Sequence, residues 1–162
     1  METDKREPIS EKNALSRMMR ICSRKEYCTF EIRQKLRRLQ QSDEVIDRII
    51  DNLHKSKFID DERYARSYIS DKLRFSKWGK TKIAYTLRQK QLSDKMIEEV
   101  FSEYPTDSLT ESLRPLLEKK LKGVKGATEY EKRNKVIRYG LGRGFAMQDI
   151  IDCLDKLIKE QE

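Results

Sequence analysis

The chain has 162 residues and a formal net charge of +8. Charged residues make up 40% of it and hydrophobic residues 36%, whereas an ordinary globular protein has about 25% and 45–50%. So little apolar material argues against one large core and predicts an elongated chain of small packing units. The positive charge favours an acidic partner such as nucleic acid, and a basic surface without such a partner is the alternative.

Several functional classes lack the residues that they need. No apolar run approaches the roughly 20 residues that span a bilayer, and the N-terminal stretch METDKREPISEKN lacks the apolar core of a signal peptide. Three cysteines without a C-x-x-C spacing and one histidine, His54, give little material for a disulfide framework, a zinc site or a Ser-His-Asp triad. We therefore expect a cytoplasmic protein that has no cofactor, no metal site and no membrane contact.

The chain repeats itself beyond a predicted polar tail at residues 1–12. Helix-forming residues dominate and no segment alternates as a strand does, so the fold is predicted to be all-α. A shift of 51 residues places residues 28–50 on residues 79–101, and a further shift of 53 residues reaches a weaker third copy. The coinciding residues include Ile32 with Ile83 and Val136, Leu36 with Leu87, Ser42 with Ser93, Ile46 with Ile97 and Ile150, and Leu92 with Phe145.

This repeat predicts three tandem three-helix, helix-turn-helix-like units at residues 13–57, 58–105 and 106–162. Units of this size contact mainly their neighbours, so we expect them to stack as an elongated, curved array. The default oligomeric state for such a chain is a monomer.

The starts of the predicted helices carry local signals. The second helix of a unit begins near Thr29 or Lys80, and the third follows Ser42 or Ser93, whose hydroxyl can cap it. Asp60 is predicted to cap the first helix of the second unit.

Charge follows the repeat. Second helices are basic, third helices open with acidic residues, and the stretch from residue 72 to residue 92 has no acidic residue. The alternative is a solvated face whose Lys and Arg stems cover apolar surface. The predicted binding residues are Lys72, Arg74, Lys77, Lys80, Lys82, Arg88 and Lys90 as a central strip, extended by Arg33, Lys35, Arg37 and Arg38.

Trp78, the only tryptophan, falls inside this basic stretch. Its repeat counterpart is Tyr27, and a position that is aromatic in two units favours a core or half-buried role over base stacking. Trp78 is therefore predicted to be structural.

The segment FIDDERYARSYI (58–69) resembles the aromatic-aliphatic-Asp-Asp signature of the RecX family, regulators of the RecA recombinase. KEYCTFEIRQKL (25–36), KWGKTKIAYTLRQK (77–90) and GRGF (142–145) are similar to other stretches of the family, and the likeness covers roughly residues 14 to 157. Three positions depart from the family pattern. Gln91 replaces a helix-ending Gly, which leaves either a left-handed Gln91 or a different turn. Ala146 replaces a capping Ser, and Pro115 predicts a helix start or kink.

The resemblance implies three three-helix units and a protein that binds the RecA–DNA filament without catalysis of its own. It also implies that the chain restrains the recombinase's ATPase, strand-exchange and co-protease activities. Within the signature, Phe58 and Tyr64 are predicted to pack between units beside Ala65, and Asp60 and Asp61 are predicted to cap a helix. The residues leave open whether the basic strip faces DNA or recombinase.

Two other functional classes are weighed against this one. A sequence-specific DNA-binding protein would read bases from its second helices, where Gln89 and Gln91 are the main candidates, but no reading surface recurs between units. DNA contact without sequence preference is therefore expected. An enzyme is disfavoured because no phosphate loop or nucleophile-base pair is present, and adjacent Asp60 and Asp61 point in different directions.

Overall fold

The computed structural model describes residues 7–161, which contain nine α-helices and no strand. They divide into two compact units that separate between Ser67 and Tyr68, inside the fourth helix. A π-helical turn follows that helix at Lys72–Ser76, and a 3-10 turn lies at Thr106–Leu109. The helices are α1 Glu11–Cys22, α2 Thr29–Arg38, α3 Asp43–Lys55, α4 Asp61–Asp71, α5 Lys80–Gln89, α6 Asp94–Ser102, α7 Leu113–Gly123, α8 Glu129–Gly142 and α9 Met147–Glu160.

The prediction of an all-α fold made of three three-helix units is confirmed, with α1–α3, α4–α6 and α7–α9 as the units. Their arrangement as a curved array stays a prediction. Helix α1 begins inside the predicted polar tail, because the Ser10 hydroxyl accepts the Asn13 N–H at 3.1 Å and caps it. Residues 1–6 of that tail lie outside the described residues.

The first three-helix unit has its own core. Apolar side chains at helical spacing on α1, α2 and α3 face one another, and Phe58 packs against them. The buried residues are Ala14, Met18, Ile32, Leu36, Ile46, Ile49, Ile50, Leu53 and Ile59. The core therefore extends beyond α3 into the stretch that begins the acidic motif.

The repeat register predicts the burial of the second and third units. Ile83, Leu87 and Ile97 are buried on α5 and α6. Their third-unit counterparts Val136 and Ile150 are fully buried too, as the alignment by 53 residues requires. Leu113, Leu117, Phe145, Leu154 and Leu157 complete the core of the third unit.

The three third helices begin at equivalent residues. The Ser42 hydroxyl accepts the Val45 N–H at 3.3 Å, and the Ser93 hydroxyl accepts the Met96 N–H at 3.2 Å. Ala146 takes the same place before α9 and has no side-chain oxygen that could accept an N–H, as expected from the absence of Ser at this position. The third unit thus lacks one helix cap that the other two have.

The three second helices also end alike. Gln40, Gln91 and Gly144 occupy the same repeat position, and all three have positive φ, at 60°, 63° and 95°. The next N–H in each case bonds back to a helix carbonyl at 3.1–3.2 Å: Gln41 to Leu36, Leu92 to Leu87 and Phe145 to Gly140. Of the two alternatives for Gln91, the structure has the left-handed conformation.

Pro115 is the third residue of α7. A proline in the first turn removes an N–H that has no partner inside the helix, so the helix tolerates it there. This agrees with the predicted helix start.

Candidate partner-binding surface

The eleven cations predicted to bind a partner lie on elements of both compact units. Four lie on α2 in the first unit. In the second unit Lys72 and Arg74 lie in the π-helical turn, Lys77 and Lys90 follow helical segments, and the other three lie on α5.

Ion pairs join the basic second helix to the acidic third helix in every three-helix unit. Arg33 pairs with Asp47 at 2.8 Å, Lys80 with Glu98 at 2.9 Å, and Arg133 with Asp155 at 2.7 Å. Arg88 adds a pair with Asp94 at 2.5 Å. The alternation of charge in the sequence is therefore partly internal pairing. Pairs this exposed contribute about 0–1 kcal/mol each, so a phosphate or carboxylate of a partner can replace the internal acid.

Trp78 lies between two lysines. The Lys72 Nζ is 4.4 Å and the Lys82 Nζ is 4.3 Å from the ring centroid, and the ring is half-buried. Its counterpart Tyr27 is also half-buried and has Lys25 and Lys35 at 4.8 Å and 5.2 Å. Neither aromatic ring is an open stacking platform for a base.

Four of the predicted cations have no carboxylate within ion-pair distance anywhere in residues 7–161 and are exposed. They are Arg37 and Arg38 at the end of α2, and Arg74 and Lys77 around the π-helical turn. Their charge is available to a partner without the loss of an internal pair.

The two acids of the aromatic-acid motif cap two different helices. The Asp60 carboxylate accepts the Arg63 N–H at 3.0 Å and so caps α4. The Asp61 carboxylate instead accepts the N–H of Thr29 at 2.8 Å and its hydroxyl at 3.1 Å, at the start of α2. The sequence placed both acids at one helix, but Asp61 serves a helix 32 residues earlier in the chain.

Arg63 of the same motif was not singled out by sequence reasoning. Its guanidinium donates to the Glu26 carboxylate at 2.8 Å and to the carbonyls of Lys57 and Phe58 at 3.1 Å and 3.3 Å. It thereby ties the turn after α3 to the segment before α2. Tyr64 and Ala65 of the motif are buried.

Two stretches that resemble the family, KWGK and GRGF, meet in the second compact unit. The Gly79 N–H donates to the Arg143 carbonyl at 2.9 Å, and the Thr81 N–H donates to the Gly144 carbonyl at 3.0 Å. A Cβ on Gly79 would lie 2.4 Å from the Gly144 oxygen, and a Cβ on Gly144 would lie 2.2 Å from Lys82 Cβ. Both positions need glycine because the backbones touch.

Arg143 fixes the π-helical turn from the other side of this junction. Its Nη2 donates to the carbonyls of Ser76 and Lys77, the latter at 3.3 Å. The contact joins residues 66 and 67 positions apart, and no local pattern marks it. Arg143 therefore holds the end of the π-helical turn, next to Trp78 in the chain.

Within the described part of the chain, no group of three His, Cys, Asp or Glu side chains is arranged to hold a metal ion. Burial raises the pKa of the Cys28 thiol to about 12 and that of Cys22 to about 11, so both are protonated at neutral pH and are poor nucleophiles. None of the helices between residues 7 and 161 is long and apolar enough to cross a membrane.

The fold defines a protein built from three tandem three-helix domains, and sequence models of one family match all three in order. The RecX first three-helix domain matches residues 14–53, the second residues 60–100 and the third residues 107–154. The chain belongs to the RecX family, a family of regulatory proteins.

Named relatives agree with this assignment. The "Regulatory protein RecX" of Prosthecochloris aestuarii is 35% identical over 91% of this chain and 95% of the relative. That of Clostridium acetobutylicum is 37% identical over 80% of this chain, which spans 62% of that relative. The crystal structure of RecX from Lactobacillus salivarius superimposes with a TM-score of 0.79 at 24% identity, covering 91% of this chain and 96% of that one, and so supports the fold.

Proposed function

We propose that this chain binds the RecA–DNA filament and restrains the recombinase's ATPase, strand-exchange and co-protease activities. The observation that carries the proposal is the match of all three three-helix domains, in order, to a family of regulators. It acts by binding, as a monomer in the cytoplasm, and so limits DNA recombination, DNA repair and the SOS response.

The basic surface supplies the affinity for the filament. All eleven predicted cations remain proposed contacts, and we rank first the four exposed ones that have no ion pair within residues 7–161. Contacts to phosphate give affinity without sequence preference. Gln89, a candidate for base reading, instead donates to the Tyr85 hydroxyl at 2.8 Å. The alternative is a helix-turn-helix protein that reads DNA directly.

The test is a binding measurement with three targets: RecA filament on single-stranded DNA, the same DNA alone, and RecA alone. Fluorescence anisotropy of the labelled chain gives each affinity at several salt concentrations. We expect the chain to bind the filament more tightly than it binds the bare DNA or RecA alone. Equal affinity for bare DNA and filament would contradict the proposal and favour the direct DNA-binding alternative.

A charge variant tests the surface in the same assay. The double change Arg37→Ala and Arg38→Ala should lower the salt slope of filament binding by about 2, because two phosphate contacts are lost. The control Arg17→Ala with Lys95→Ala removes the same charge from exposed sites on α1 and α6 and should leave the slope unchanged. Equal effects of both variants would show that only net charge matters.

A further inference from the structure

A groove of about 760 Å³ lies within the second compact unit, between the π-helical turn and α7. Its apolar and aromatic lining comes from Leu73, Phe75, Tyr104, Pro115 and Leu116. We call it the Phe75 groove. Only two of the eleven cations of the basic surface, Arg74 and Lys77, line this groove. The apolar part of the groove therefore has no role in the basic surface.

Phe75 is 75% exposed at this groove. An aromatic side chain left in water forgoes the favourable transfer that burial would give, so its exposure needs a reason. A partner that covers the ring would supply one.

The backbone holds Phe75 in place at some cost. Residues 72–76 form a π-helical turn, closed where the Trp78 N–H bonds to the Lys72 carbonyl at 3.0 Å. Lys77 is left-handed with φ 57°, which a side chain other than glycine rarely adopts. Arg143 donates to the carbonyls on both sides of the bend, at Ser76 and Lys77. π-turns and left-handed residues held in this way occur often at binding sites.

The charges of the groove are unbalanced. Arg74, Lys77 and Lys119 line it and have no carboxylate within ion-pair distance in residues 7–161, and Glu111 is the one acid on its wall. An occupant that bears carboxylates would complement them. The apolar lining and Glu111 disfavour a phosphate backbone, which needs cations along its whole path.

We propose that the Phe75 groove binds a short acidic segment of a protein partner, one of whose large apolar side chains packs on Phe75. The carboxylates of that segment lie beside Arg74, Lys77 and Lys119. This inference rests on the proposed function for the partner's identity, since the segment would belong to the recombinase. The chain would then use a basic surface for phosphates and a groove for protein, and Arg74 and Lys77 belong to both.

Anisotropy with the RecA filament and with bare single-stranded DNA tests the apolar contact. Phe75→Ala should weaken filament binding about tenfold, as the loss of an aromatic anchor does, and leave DNA binding unchanged. Phe75→Leu keeps an apolar side chain and should restore most of the affinity. The matched control is Tyr130→Ala, which removes an equally exposed ring, 74% exposed, from α8 outside the groove and should change neither.

Charge reversal tests the acidic character of the occupant. Lys119→Glu should weaken filament binding about fivefold more than Lys95→Glu, an exposed and unpaired control on α6. Both variants should weaken binding to bare DNA by the same small amount. Equal effects of the two variants on filament binding would overturn the proposal.

A photo-cross-linking residue at position 75, p-benzoylphenylalanine, identifies the occupant directly. Cross-links to an acidic stretch of the recombinase support the proposal, whereas cross-links to DNA or to a second copy of this chain overturn it. If the wild-type chain does not bind the filament, both the proposed function and this inference are wrong. If the wild-type chain binds the filament and Phe75→Ala binds it equally well, only the proposal for the groove is overturned.

Discussion

The start of the second helix is held by different hydrogen-bond acceptors in the first and second three-helix units. The start of α2 receives the Asp61 carboxylate on the Thr29 N–H and hydroxyl. At the start of α5, its repeat equivalent, no carboxylate from the described residues caps the helix. There the Thr81 N–H donates to the Gly144 carbonyl, and the Gly79 N–H donates to Arg143.

In both units, N–H groups at the start of the second helix that have no partner inside the helix bond to an acceptor from later in the sequence. A carboxylate acts over a flexible side chain and tolerates small shifts, whereas two touching backbones tolerate none. The two units therefore share the requirement for an acceptor at this position, but the chemical group that accepts differs between them. The junction of glycines should be the more fragile of the two closures.

The largest expected effect comes from Gly144→Ala. A Cβ there would lie 2.2 Å from Lys82 Cβ, at a residue with φ of 95°. The free energy of unfolding should fall by about 3 kcal/mol, measured by urea denaturation.

The control for that prediction is Gly142→Ala, two residues earlier, where a Cβ would meet nothing within 4 Å. Alanine is a better helix former than glycine, so this variant should be neutral or more stable by up to about 1 kcal/mol. If Gly144→Ala were equally harmless, the tight junction would be wrong.

Removing the acceptor of the first closure should cost less. Asp61→Ala leaves the Thr29 N–H without its acceptor, whereas the Thr29 hydroxyl keeps His54 Nε2 at 2.9 Å, so stability should fall by about 1–2 kcal/mol. Asp61→Asn keeps a carbonyl acceptor and should lose about half as much. Glu44→Ala, in the exposed first turn of α3, serves as the control and should change stability by less than about 0.5 kcal/mol.

The comparison extends to the third helices, where Ser42 and Ser93 cap and Ala146 does not. Ala146→Ser should stabilise the chain by about 1 kcal/mol in the same denaturation experiment. The reciprocal change Ser93→Ala should lose a similar amount. No gain from Ala146→Ser would mean that the start of α9 is satisfied in another way.

The smallest effect concerns the helix ends, where Gln40 and Gln91 stand in left-handed backbone that Gly144 adopts freely. Gln91→Gly should gain about 0.5 kcal/mol, because relief of strain slightly exceeds the added freedom of the unfolded chain. Gln89→Gly, inside the last turn of α5, should instead lose about 1 kcal/mol. Losses from both changes would show that Gln91 is not strained.

Sequence reasoning located what depends on local pattern. The repeat predicted the register of buried residues through Val136 and Ile150, and turn chemistry gave the left-handed Gln91 as one of two alternatives. It missed contacts between residues far apart in the chain, such as Asp61 with Thr29 and Arg143 with Ser76, because no periodicity encodes them. It also treated the basic and acidic helices as separate surfaces, although Arg33 and Asp47 pair.

Whether this chain restrains a recombinase is tested most directly by the rate of ATP hydrolysis by RecA on single-stranded DNA. The chain is titrated as wild type and with the cations at the ends of α2 and α5, Arg37, Arg38, Arg88 and Lys90, changed to Ala. A matched control changes Arg17, Lys95, Arg138 and Lys156 to Ala. We expect strong inhibition by wild type and control well below one chain per recombinase subunit, and weaker inhibition by the variant. Inhibition that begins only when the chain is abundant enough to cover the DNA would contradict filament regulation.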